Sequence, residues 1–193
     1  MTISPADLRR AVQAIESARV VGVPTDTVYG IAADPFHEKA VESLFRIKGR
    51  PGEKPVSLLV ADLVMAGSLG VFGRQAEELA VIHWPGPLTL VVRRQEGLPD
   101  WVGDSSTDTI GLRVPDHPAM AGLLRGTGPL AVTSANRSGE PAPLDDAAAR
   151  RLLGDVVAVY LPGTCPGGES STVVDVTGPE LKVLRSGPIR FSG

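Results

Sequence analysis

Apolar residues recur along this chain at two periods, and the two periods alternate. Leu8, Val12 and Ile15 fall at i, i+4 and i+7, one face of a helix. Ser4 and Pro5 start it, because a serine hydroxyl accepts from orphan amides and proline suits a first turn. The compact run at 20–23 reads as a buried strand, and residues 24–34 are polar and turn-rich. A second helix is predicted from about Glu38, with Val41, Leu44 and Phe45 inward, ending near Gly49-Arg50-Pro51. Residues 56–60 form another buried-strand pattern. Further helices are predicted over 75–83, 118–125 and 145–153, and strands over 88–92, 110–114, 130–133, 156–160, 172–176 and 181–184.

Continuous Val/Leu/Ile runs between amphipathic helices predict an α/β fold: one twisted sheet covered by helices on both faces. The three late strands make it mixed rather than purely parallel. No repeat, low-complexity tract or linker divides the chain, so a single domain over 1–193 is expected.

Composition narrows the class. At 193 residues a domain buries roughly 70% of its unfolded surface and needs no covalent staple. A single cysteine, Cys165, excludes a disulfide framework. The start, MTISPADLRR, lacks the apolar run of a signal peptide, and no stretch approaches the roughly 18 apolar residues of a membrane helix. A cytoplasmic protein is expected. Net charge is −3, so strong non-specific nucleic-acid binding is not expected. The 15 arginines against 4 lysines fit codon bias in a GC-rich genome, and leave room for a few arginines used as planar forks for phosphate or carboxylate.

In open α/β sheets, chemistry collects in the loops after strands. Residues 24–30, PTDTVYG, put two hydroxyls, a carboxylate and a phenol at one strand exit. They fit a small zwitterion, or a polar turn that bonds its own backbone. Arg46, Lys48, Arg50 and Lys54 place four cations within nine positions, broken by glycine and proline. Such a loop wraps a polyphosphate or is merely solvated. Arg113 lies in the apolar pattern of 109–115, where a cation needs an internal acid or a ligand carboxylate. Residues 133–139, TSANRSG, offer hydroxyls and an amide at another strand exit. Residues 170–175 and 184–187 add hydroxyls before one strand and Arg185 at the end of another.

Absences restrict the chemistry. There is no P-loop and no dinucleotide-binding G-x-G-x-x-G. His37, His83 and His117 stand apart, without zinc-ligand spacing, so no metal held by protein side chains is expected. Gly163-Thr164-Cys165-Pro166-Gly167 mimics a nucleophile elbow, but Pro166-Gly167-Gly168 opposes the helix an elbow requires. A cysteine hydrolase is the least favoured alternative.

In this order, PTDTVYG, K-x-R-P with a following K-P, GLRVP, TSANxSG, SSTVVD and LRSG resemble the YrdC/TsaC family of threonylcarbamoyl-AMP synthases, over about 20–187. The resemblance implies a mostly parallel α/β sheet with a concave substrate face. It implies formation of threonylcarbamoyl-AMP and pyrophosphate from L-threonine, bicarbonate and ATP with Mg2+, for threonylcarbamoyladenosine modification of tRNA. It casts Lys48 and Arg50 as phosphate-binding catalytic cations, with Lys54, Thr109, Ser134, Asn136, Ser171 and Arg185 as further ATP contacts. Thr27, Arg113 and Thr133 fall to threonine, Arg113 pairing with its carboxylate. The implied partner is the threonylcarbamoyl-transferase complex that acts on tRNA; direct tRNA binding is not expected at a pI near 5.6.

The sequence departs from the family where some longer relatives carry a threonine-binding histidine, since Ser57-Leu58-Leu59 stands there. Two alternatives use the same face: a non-catalytic RNA-binding or ribosome-associated module, and a carbamoyl-adenylate-forming enzyme with another acceptor.

Overall fold

The computed structural model describes residues 3–49 and 55–191. Helix α1 (Pro5–Glu16) opens as its pattern predicts, the Ser4 hydroxyl accepting from the Asp7 amide at 3.1 Å. Strand β1 (Val21–Val23) leads through a polar loop to β2 (Gly30–Ala33). Helix α2 (Glu38–Lys48) ends on Gly49, whose φ of 64° is left-handed and unstrained only without a Cβ. Then come β3 (Leu58–Leu59), α3 (Leu63–Gly67), β4 (Gly70–Val71) and α4 (Arg74–His83). Strands β5 (Leu88–Arg94) and β6 (Thr109–Arg113), α5 (Pro118–Thr127), β7 (Leu130–Ser134) and α6 (Asp146–Leu153) follow, and β8 (Val159–Tyr160), β9 (Thr172–Asp175) and β10 (Lys182–Arg185) close the sheet.

The strand order is β10-β9-β5-β6-β3-β7-β2-β1-β8, with β4 paired outside this path on β5. The sheet is mixed, as expected, but antiparallel pairs outnumber parallel ones, so it is not the mostly parallel sheet that the resemblance implies. Three neighbour pairs are parallel, β1 with β8, β3 with β6 and β5 with β9. The other six are antiparallel. Parallel neighbours need a crossover of a dozen or more residues, and all three parallel pairs have one; the antiparallel pairs β2 with β7 and β3 with β7 are also joined by long stretches of chain. The short loop between β1 and β2 permits only an antiparallel return.

Side-chain alternation splits the core in two. Ile31, Leu58 and Ala131 join one apolar cluster with residues of α2, α4 and α6. Their neighbours Ala32, Leu59 and Leu130 join a second with α1 and α5. This is the period of two that strands impose. Four elements differ from the sequence reading. β2 lies in the segment read as turn, because Gly-Ile-Ala-Ala is too small and short to give a strong apolar signal. α3 and β4 have five and two residues, below the length at which periodicity registers. Residues 154–156 form a 3-10 turn, so β8 starts later than expected. Among the described residues no helix is long and apolar enough to cross a membrane.

Leu112 is fully buried and sits between its register partners Leu58 and Leu90. Leu112→Ala is expected to destabilise the fold by about 2–5 kcal/mol, read as a lower urea midpoint at unchanged slope.

Candidate active site

A cleft of about 240 Å³ gathers residues from most of the motifs singled out in the sequence. Thr27 enters it from the β1–β2 loop, Lys48 from the end of α2 and Arg113 from the end of β6. Thr133 and Ser134 come from the end of β7, Ser171 from just before β9 and Arg185 from the end of β10. The cleft runs across the sheet, not along one edge of it: Ser57 and Leu59, at alternate positions of one extended segment, both line it. No Asp or Glu is among the described lining residues.

Arg113 is 5% exposed, so its charge must be met within the protein. Its Nη2 donates to Asp26 Oδ1 in a short ion pair, its Nε to the Gly86 carbonyl at 3.0 Å and its Nη1 to Thr27 Oγ1 at 3.3 Å. Burial lowers the proton affinity of the guanidinium, and the Asp26 charge opposes that shift. A guanidinium carries five N–H groups, so this fork keeps donors for a ligand. The three contacts fix its plane. Thr25 braces the loop: its hydroxyl donates to the Val28 carbonyl at 2.7 Å and accepts from the Thr27 amide at 3.1 Å.

Lys48 is 4% exposed, and its ammonium donates to the Ser134 carbonyl at 2.8 Å, Ser134 Oγ at 3.2 Å and Asn136 Oδ1 at 3.0 Å. Asn136 in turn donates to the Arg137 and Glu140 carbonyls at 2.9 and 2.6 Å. The lysine therefore ties α2 to the β7 loop as well as bringing charge to the cleft.

Arg185 donates to the Ser171 carbonyl and hydroxyl, both at 3.0 Å, and Ser171 Oγ shares a hydrogen bond of 2.9 Å with buried Thr89. Gly187 makes this approach possible, since a Cβ there would collide with the Ser170 carbonyl and the Thr172 amide. Partial desolvation first, and the charge of Arg113 second, lower the proton affinity of Arg185. Arg185 thus feels the Arg113 charge, and both line the one cleft, so a bound anion relieves a repulsion there.

Other expected residues lie elsewhere. Asn136 stands behind the cleft, reaching it through Lys48. Thr109 begins β6, about 13 Å along the strand from Arg113, and its hydroxyl bonds Thr107 at 2.7 Å. Arg50 and Lys54 lie outside the described residues. Tyr29 is fully buried and donates to the Leu161 carbonyl at 2.7 Å; burial, then Asp146, push its phenol far above the usual range, so this polar residue of the first motif is structural. Cys165 is 8% exposed and its sulfur accepts from the Thr25 amide at 3.3 Å. It occupies a loop and does not line the cleft, which removes the basis for a cysteine nucleophile. Among the described residues no group of three or more His, Cys, Asp or Glu can hold a metal ion.

The sequence reading missed Ser57 and Thr89 as cleft residues and Asp26 as the counter-ion of Arg113, and it gave Thr25 and Ser170 no role beyond membership of their motifs. The available signals were a hydroxyl inside the apolar run Leu88-Thr89-Leu90 and the carboxylate beside Thr27.

A family model, Sua5_yciO_yrdC, described as "Telomere recombination", matches residues 13–187. A Mycobacterium tuberculosis (strain H37Rv) protein is 46% identical over 181 residues, covering 93% of this chain and 83% of its own length. The threonylcarbamoyl-AMP synthase of Vibrio cholerae (strain N16961) is 36% identical over 186 residues, 94% of this chain and 97% of that protein. Pyrococcus abyssi Sua5 complexed with L-threonine superposes with a TM-score of 0.90 at 33% identity over 97% of this chain. The present chain spans 56% of that protein's length.

Two outcomes follow from this geometry. Breaking a buried ion pair leaves an uncompensated charge, so Asp26→Ala is expected to lose about 3–5 kcal/mol in urea unfolding. Burial, the largest cause, raises the Cys165 pKa. The folded thiol therefore stays protonated at neutral pH, and its contribution to stability is full below the unfolded pKa and fades as pH rises through the folded one. Alkylation by iodoacetamide at pH 8 should accordingly be much slower for the native protein than for the urea-unfolded chain.

Proposed function

The chain belongs to the Sua5/YciO/YrdC family, and on that premise we propose that it forms threonylcarbamoyl-AMP and pyrophosphate from L-threonine, bicarbonate and ATP. The observation that carries this reading is the meeting of Arg113 and Arg185 across one cleft that has hydroxyls and no acid in its described lining. That arrangement suits two anionic reactants held side by side: a triphosphate and an amino-acid carboxylate.

In the proposed chemistry the threonine amine takes up bicarbonate with loss of water to give a carbamate. A carbamate oxygen then bonds the α-phosphorus of ATP while the bond to pyrophosphate breaks. Such transfers depend mainly on positioning and charge stabilisation. Arg113 and Thr27 hold the threonine carboxylate, with Thr133 beside it. Arg185, Ser171 and Lys48 offset charge on the triphosphate and on the leaving pyrophosphate, and Ser134 and Asn136 set the position of Lys48. Arg50, Lys54 and Thr109 keep the nucleotide roles that the family resemblance gives them. Because no metal-binding cluster occurs among the described residues, Mg2+ would enter with ATP. The product, a reactive mixed anhydride, would pass to the complex that transfers the threonylcarbamoyl group to tRNA.

Mass spectrometry after mixing protein, ATP, bicarbonate and L-threonine tests the reading. The expected product is threonylcarbamoyl-AMP, formed only with all three present; nucleotide turnover that ignores threonine would overturn it. Arg185→Ala sits at the rim and should leave the fold intact while lowering pyrophosphate release about 10²-fold.

A further inference from the structure

Away from the cleft, three arginines from separate segments surround a second groove of about 570 Å³. Arg19 comes from the turn between α1 and β1, Arg46 from α2 and Arg137 from the loop after β7. All three are exposed. Among the described residues, none lies within ion-pair distance of a carboxylate. Glu42 stands one helical turn before Arg46, where an ion pair ordinarily forms, yet Arg46 donates to Ser43 Oγ at 2.8 Å. No acidic residue is among its described lining residues. Its apolar part includes Ile47, Leu152 and Val156, the last two 45% and 63% exposed.

Three like charges around one concavity, without a counter-ion, make a local positive field on a chain whose net charge is −3. An anion that enters relieves the repulsion, and a planar guanidinium pairs best with carboxylate or phosphate. The rest of the lining chooses between these. Single-stranded RNA gains much of its affinity from bases stacked on aromatic rings, and no aromatic residue is among the described lining of this groove. The overall negative charge also opposes the long-range attraction on which nucleic-acid binding relies. An apolar floor instead rewards aliphatic side chains, which gain from leaving water.

We propose that this groove docks an acidic, apolar-faced segment of a partner protein. Its carboxylates meet Arg19, Arg46 and Arg137, and its aliphatic side chains cover Leu152, Val156 and Ile47, as an amphipathic helix lies in a groove. The position links docking to the cleft: Arg137 follows Asn136, whose side chain receives a hydrogen bond from Lys48. A partner held here sits against the loop that follows Ser134 and carries Asn136. The inference does not depend on the enzymatic reading, because docking is measured without substrates.

Fluorescence anisotropy tests it, with a labelled synthetic helix bearing glutamates on one face and leucines on the other, and a tRNA transcript in parallel. The peptide should bind, and the triple change Arg19→Ala, Arg46→Ala, Arg137→Ala should weaken it about tenfold or more. Leu152→Asp alone should have a similar effect, and a peptide with glutamine for glutamate should bind the native protein as weakly. Circular dichroism confirms that the variants remain folded. Absence of peptide binding, or peptide binding indifferent to the arginines, overturns the proposal. Arginine-dependent binding of tRNA in place of the peptide overturns it as well.

Discussion

A guanidinium withdrawn from water must find its charge partner inside the protein, and the buried Arg113 sets that requirement here. Its partners come from two places distant in sequence: Asp26 and Thr27 from the β1–β2 loop, and the Gly86 carbonyl from the approach to β5. Only a sheet that brings these segments to the end of β6 meets the requirement. The strand order sets β5 beside β6 and β2 three strands away, so the β1–β2 loop reaches over the ends of β7 and β3 to meet Arg113. The interaction that closes this part of the fold is therefore the one that orients a cation toward the cleft. In the proposed reaction that cation reads a carboxylate, so the fold supplies its preorganisation in advance of the substrate.

The remaining polar groups divide by what they face. Lys48 fastens the end of α2 to Ser134 and Asn136, so its charge arrives at the cleft on a braced support. Arg185 is fastened by Ser171, which Thr89 holds in turn, and Gly187 lets that strand end lie flush against its neighbour. Tyr29 and Cys165 face inward and serve the loop packing beneath. A cleft built this way keeps two arginines at one site without a described lining carboxylate, an arrangement that favours anionic ligands over a collapsed, self-paired state.

Much of this was legible in the sequence. Long apolar runs such as 88–92 and 110–114 declared themselves as strands, and Arg113 announced its need for a partner by interrupting one of them. What stayed hidden has physical causes. β2 is built of small residues and depends on β1 and β7 on either side, which no local pattern reveals. Asp26 was visible in the first motif, yet its pairing with Arg113 joins residues 87 apart in the chain. Thr109 and Arg113 share one strand and one motif, but four residues of extended chain carry them to opposite ends of it. Motif membership fixed which residues gather near the site; the pleat and the strand order decided which of them face the cleft.

In the proposed reaction the buried Arg113 fork selects a ligand by its carboxylate. Calorimetric titration of the protein with L-threonine and with L-threoninol tests it most directly, since the alcohol keeps the ammonium and the hydroxyl and lacks only the carboxylate. Threoninol is expected to bind at least about 10²-fold more weakly, the cost of leaving a charged hydrogen-bond donor unmet. Equal affinity for the two would contradict it.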